Sequence, residues 1–138
     1  MHITLEADYA VRTVDFLSRS DTRRDAKTIA ETTMVPLRFC LKILRKLVAA
    51  GLVQSYKGVH GGYQLAVPAD QITLGQAIEV VEGPYYFSRC LEDKTLCNRG
   101  YAPDCAYHRV YWEISDMVRK ELNSRTFADL IAENTKCE

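Results

Sequence analysis

Three cysteines and a histidine, Cys90, Cys97, Cys105 and His108, fall within nineteen residues of an otherwise polar stretch, CLEDKTLCNRGYAPDCAYH. Thiolates and imidazoles bind transition metals, and clustered thiols can also form disulfides reversibly. Structural zinc usually shows closely spaced C-x-x-C pairs, and none occurs here. The gaps between the cysteines are six and seven residues. Loops that wide suit a bulky iron–sulfur cluster, for which thiolates are the standard ligands and histidine can replace one. Cys105 and His108 stand three residues apart at the start of an expected helix, so both can face one site. Zinc and a cluster-free thiol/disulfide switch remain as alternatives. A fifth cysteine, Cys137, lies in the polar C-terminal tail and outside this constellation.

Which of these chemistries applies depends on the elements around the loop. The chain has 138 residues and 47% hydrophobic content, enough for one domain with a sizeable core. It has no run of eighteen apolar residues, so no membrane span is expected. The start, MHITLEADYAVR, lacks a basic region followed by an apolar core, so a cytoplasmic location is expected. In a reducing compartment clustered thiols more often bind metal or do redox chemistry than form structural disulfides.

The net charge of zero hides an asymmetry. Residues 1–67 hold ten Lys and Arg against six Asp and Glu, whereas residues 68–138 hold eight against twelve. From Arg38 to Lys57 there are five basic residues and no acidic one. A basic patch on one half of a neutral chain is a nucleic-acid footprint, although a solvated helix face gives the same charge pattern.

Helical spacing of Ala7, Ala10, Val11, Val14 and Leu17 predicts a helix over 5–18, with Asp8, Arg12 and Asp15 opposite. AKTIAETT predicts a short second helix. Pro36 suits the first turn of a third, which Gly51 ends. Leu37, Cys40, Leu44 and Leu47 form its expected inner stripe, and Arg38, Lys42 and Arg45 share its outer face. LVQSY and YQLAV, joined by KGVHGG, predict a β-hairpin with a glycine-rich tip. Thr73 should cap the helix LGQAIEVVEG, and Gly83-Pro84 should stop it. Residues 85–104 show no periodicity. Asp104 should then cap a long helix from Cys105 to about Asn123, whose apolar positions are Tyr107, Val110, Tyr111, Ile114, Met117, Val118 and Leu122. TFADLIAE predicts one more short helix.

Two short helices, a basic helix and a hairpin, in that order, form a winged helix-turn-helix. The fold class is therefore mainly α with a small β-hairpin wing, followed by a long C-terminal dimerisation helix. Residues 1–84 form the expected DNA-binding domain, 85–104 the cluster-binding loop, and 105–138 the dimerisation helix and C-terminal segment. A helix fits the major groove, basic side chains neutralise phosphates, and a glycine-tipped wing can approach the backbone or enter the minor groove. Arg38, Lys42 and Arg45 would face the major groove, with Lys57, His60 and Gly61 on the wing. Lys27 and Thr28, at the start of the second helix, complete the candidate DNA contacts. No phosphate-binding glycine loop, nucleophile elbow or metalloprotease motif appears, so no enzyme activity is expected.

The chain resembles the Rrf-two family of bacterial transcription regulators. DYAVR in the first helix carries the resemblance, together with KILRKLVAAGLVQSYKGVHGGYQLAVPADQITLGQAIEVVEG and its phrase G-x-x-G-G-Y-x-L followed by I-T-L. It covers residues 1 to about 132 and implies a homodimer on double-stranded promoter DNA at paired half-sites, more often repressing than activating. It also implies that Pro36, Arg38 and Leu41 reach bases and that Lys57 enters the minor groove. Leu41 stands where relatives often carry a polar residue, and Cys40 where leucine is usual. Cys40 reads most simply as a small buried hydrophobe.

The three loop cysteines resemble the cluster ligands of the iron–sulfur members, IscR, NsrR and RirA, with gaps one or two residues longer. His108 matches the C-x-x-H histidine of the two-iron (2Fe-2S) branch. Asp8 matches the first-helix aspartate that reaches a four-iron (4Fe-4S) cluster from the partner subunit, and a surface pair with Arg12 is its bland alternative. The two-iron cluster with His108 is favoured. A regulator controlled by a protein partner, with redox-active or structural cysteines, is the competing function.

Overall fold

The computed structural model describes residues 1–100 and 104–135; Cys137 lies outside them. Helix α1 (Leu5–Ser18) begins at Thr4, whose hydroxyl accepts from the Ala7 amide at 3.1 Å. It buries Ala7, Ala10, Thr13, Val14 and Leu17, a stripe at helical spacing. Thr13 is tolerated there because its hydroxyl bonds back to the Tyr9 carbonyl at 2.8 Å. Helix α2 (Ala26–Thr33) is capped by Asp25 and ends at Met34, the one non-glycine residue with positive φ (56°) among those described. That left-handed residue makes the tight turn into α3 (Leu37–Ala49).

Pro36 sits just before α3, at its cap and not in its first turn. The inner stripe of α3 is Cys40, Ile43, Leu44 and Leu47. Leu37, expected in that stripe, is 46% exposed, and Ile43, which was not expected there, is fully buried. Strands β1 (Val53–Tyr56) and β2 (Gly62–Leu65) pair antiparallel, with Val53 opposite Leu65 and Tyr56 opposite Gly62. Thr73 and Gln76 form a reciprocal capping box at the start of α4 (Leu74–Glu82), which packs on α1 and α3.

The linker contains a single-turn helix, α5 (Arg89–Glu92), and a 3-10 turn over Lys94–Leu96. Its sequence shows no periodicity because so short a helix has no buried stripe. Helix α6 (Ala106–Asn123) starts at Cys105, with no side-chain cap; Asp104 does not cap it. Gly75 lets α6 approach α4, since a Cβ there would stand 2.5 Å from Asn123 Oδ1. Helix α7 (Phe127–Thr135) returns the chain to the head. Phe127 is 1% exposed in the core with Leu17, Ile43 and Ile72, and its amide donates to the Ile72 carbonyl at 3.0 Å. The architecture is a winged helix with a two-stranded hairpin and a long C-terminal helix. Among the described residues, no helix is long and apolar enough to cross a membrane.

Candidate functional site

The wing takes its shape from its glycines. Gly58 turns the chain at φ 95°. A Cβ on Gly61 would collide with the Tyr56 carbonyl, and Gly62 combines φ 139° with the Arg24 backbone 2.7 Å from where its Cβ would be. That approach exists because Arg24 pairs with Tyr63 as an isolated antiparallel rung: Arg24 N–H donates to Tyr63 O at 2.9 Å, and Tyr63 N–H to Arg24 O at 2.7 Å. The loop before α2 thus locks the wing to the head. The sequence reading had no sign of this link, which joins residues about forty positions apart.

The basic face is built on α3. Arg38, Leu41, Lys42 and Arg45 are all exposed and, with Phe39, border one surface concavity. Lys42 Nζ lies 3.4 Å from Glu6 Oε1, and Lys46 Nζ lies 2.9 Å from the same oxygen. Hydrogen bonding from Lys46, with a further contribution from Lys42, holds the Glu6 carboxyl below its ordinary range against a smaller opposing cost of burial. Lys57 and His60 are exposed on the wing, and Gly61 borders a cleft beside it. Lys27 is exposed, whereas the Thr28 amide and hydroxyl are both engaged by Asp25, at 2.9 and 2.8 Å. Thr28 therefore serves the cap of α2. Pro36 is exposed at the entry to α3.

Cys40 lies in the core at 0% exposure, its thiol 3.8 Å from the Ala26 carbonyl. Burial pushes that thiol up to about 11, so it stays protonated and inert.

The remaining described cysteines gather elsewhere. Cys90 on α5, Cys97 after the 3-10 turn, Cys105 at the start of α6 and His108 one turn later line one open cavity of about 410 Å³. Arg99 and Asp104 line it too. Sequence reading assigned neither to the cavity; the adjacency of Asp104 to Cys105 was the one available signal. The three thiols are free and partly exposed. Cys90 Sγ is 3.5 Å from Ser88 Oγ, and Cys97 Sγ is 3.7 Å from the Gly100 carbonyl. Among the described residues, no three Cys, His, Asp or Glu side chains stand close enough to hold one metal ion. The four residues thus border one open cavity without converging on a single-ion site. Asp8 is not on this cavity; it pairs with Arg12 at 2.6 Å on the surface of α1.

A family model, Rrf2, described as an iron-dependent transcriptional regulator, matches residues 3–133. The chain belongs to the Rrf2 family. Protein rrf2 of Nitratidesulfovibrio vulgaris Hildenborough is 32% identical over 114 residues, covering 80% of this chain and 73% of that protein. The HTH-type transcriptional regulator CymR of Bacillus subtilis is 35% identical over 104 residues, 75% of this chain and 69% of CymR. In three dimensions, B. subtilis CymR, the global cysteine regulator, superposes with a TM-score of 0.77 at 30% identity, covering 96% of this chain and 98% of CymR. IscR of T. potens shares the fold at a TM-score of 0.79 and 23% identity, covering all of this chain and 91% of that one. This Rrf2 protein is a DNA-binding transcription regulator and not an enzyme.

Proposed function

We propose that this protein is a homodimeric regulator whose grip on operator DNA is set by an iron–sulfur cluster held at Cys90, Cys97, Cys105 and His108. The observation that carries the reading is the single cavity lined by three free thiols and an imidazole at the root of α6. The donor set fits: thiolates are the standard ligands of iron–sulfur clusters, and an imidazole can replace one of them. The two-iron form is favoured, with His108 as fourth ligand; a four-iron form would take Asp8 of the other protomer. When bound, the cluster supplies redox and ligand sensitivity to iron, oxygen or nitric oxide.

Helix α6 supports the dimer. Its face against the linker is held by Tyr111 on Phe87, by Ser115 Oγ accepting from the Phe87 amide at 2.9 Å, and by Arg119 donating to the Tyr85 carbonyl at 2.7 Å. Another face leaves Tyr107, Val110 and Met117 exposed at spacings of three and seven residues. Such an apolar stripe on a long helix suits a helix of a second copy.

In this reading the linker transmits the signal. Tying Cys90, Cys97, Cys105 and His108 to one cluster would fix the start of α6, and α6 sets the separation of the two heads. Paired half-sites demand a particular separation. A tenfold change in affinity requires only about 1.4 kcal/mol of difference between the two linker states.

CymR gives the competing reading some weight, because a relative of this similarity is named a cysteine regulator. In that reading the same thiols act as a cluster-free switch. The experiment selects a duplex from a randomised pool with oxygen-free protein, then measures affinity for it before and after chelation of iron and after mild oxidation of the stripped protein. Loss or gain of affinity on stripping supports the cluster. Equal affinity on stripping, with a change only on oxidation, supports the thiol switch.

A further inference from the structure

The loop between α1 and α2 carries two arginines that the recognition helix and wing do not account for. Arg24 anchors the wing through its backbone. Its neighbour Arg23 is exposed, and its guanidinium carbon lies 3.4 Å over the Tyr56 ring, a stacking distance. Its Nη1 donates to the His60 carbonyl on the wing at 3.4 Å. Among the described residues no carboxylate stands within ion-pair distance of Arg23. The nearby Asp25 carboxyl is already occupied by Thr28. Thr22, Arg23, His60, Gly61 and Gln64 then line an open cleft between this loop and the wing.

We infer that Arg23 is a DNA-contacting residue that holds a backbone phosphate in this cleft, pre-oriented by Tyr56 and by the wing carbonyl. A guanidinium has five N–H donors in a rigid fork that matches phosphate oxygens. Among the described residues only one of them is used, through a long bond, so the others remain for a ligand. Stacking on Tyr56 limits the rotamer freedom that binding would otherwise cost. The Arg24–Tyr63 bridge ties the loop to the hairpin, so Arg23 keeps its place beside the His60 carbonyl.

The inference rests on the DNA-binding reading of the head, and salt dependence tests it. Each phosphate neutralised contributes about 0.9 to the slope of log affinity against log salt. The full chain and its Arg23→Gln and Tyr56→Leu variants are titrated by fluorescence anisotropy against the duplex selected by the unaltered protein, from about 50 to 200 mM salt. Arg23→Gln should weaken binding about tenfold and flatten the slope by about one. Tyr56→Leu should weaken binding less and keep the slope, because the charge remains. A slope unchanged in Arg23→Gln, even with weaker binding, makes Arg23 a mere brace of the wing and overturns the inference. A protein that selects no duplex at all sinks the DNA-binding reading, and this inference with it.

Discussion

Glu6 shows how one side chain can oppose the face it sits beside. It binds Lys46 and Lys42, and Lys42 is one of the cations proposed to meet DNA. A phosphate approaching Lys42 must compete with that carboxylate. Glu6→Gln is therefore expected to tighten DNA binding about two- to fivefold at low salt and to steepen the salt dependence, as read by anisotropy. The same pair has a pH signature. The folded carboxyl titrates below its ordinary 4.5. Its contribution to stability is thus present above that value and is lost as pH falls through the lower, folded value. Wild type should lose more stability than Glu6→Gln between about pH 5 and 3 in urea titrations. At Cys40 the outcome is chemical silence, because a buried thiol raised to about 11 offers no thiolate near neutrality.

Among the elements, the wing depends most on a single residue. Gly62 occupies φ 139° with the Arg24 backbone against it. Gly62→Ala should break the Arg24–Tyr63 rung and cost about 1–3 kcal/mol, measured by urea unfolding, with faster amide exchange at Tyr63. The sequence motif names these glycines but not their reason, since the rung lies between a loop and a strand with no shared periodicity. Helix α1 is legible from its apolar stripe and α4 from its Thr73 cap, whereas Thr4 and Asp25, which accept from the Ala7 and Thr28 amides to cap α1 and α2, went unread. In α3 periodicity gives the helix and most of its inner stripe, but it includes the exposed Leu37 and omits the buried Ile43. Asp104 looks like a cap in the sequence, but the helix starts one residue later, with Cys105 at the cap position, and Asp104 borders the cysteine cavity. Of the candidate site, the cysteines were legible by residue type. Their convergence on one cavity depends on α5 and the 3-10 turn, which are too short to leave a pattern.

In the molecule as a whole, the C-terminal helix closes the head. Phe127 enters the same core as Leu17 and Ile43, and Thr126 bridges to Thr73. The helix that carries the cavity at one end is therefore followed directly by an anchor in the DNA-binding head at the other. Phe127→Ala should destabilise the protein by about 3–5 kcal/mol by urea unfolding, as large as any core truncation in the winged helix itself. That anchor gives a change at the start of α6 a mechanical path to the basic face. The path matters only if the cavity holds its cofactor. The decisive measurement is the iron and acid-labile sulfide content per chain of oxygen-free protein, beside the Cys97→Ala variant with an unchanged far-ultraviolet spectrum. Wild type should contain about two of each, or about four in the larger form, and Cys97→Ala almost none. Wild-type protein that is colourless and free of both iron and sulfide, yet still selects its duplex, would contradict the account.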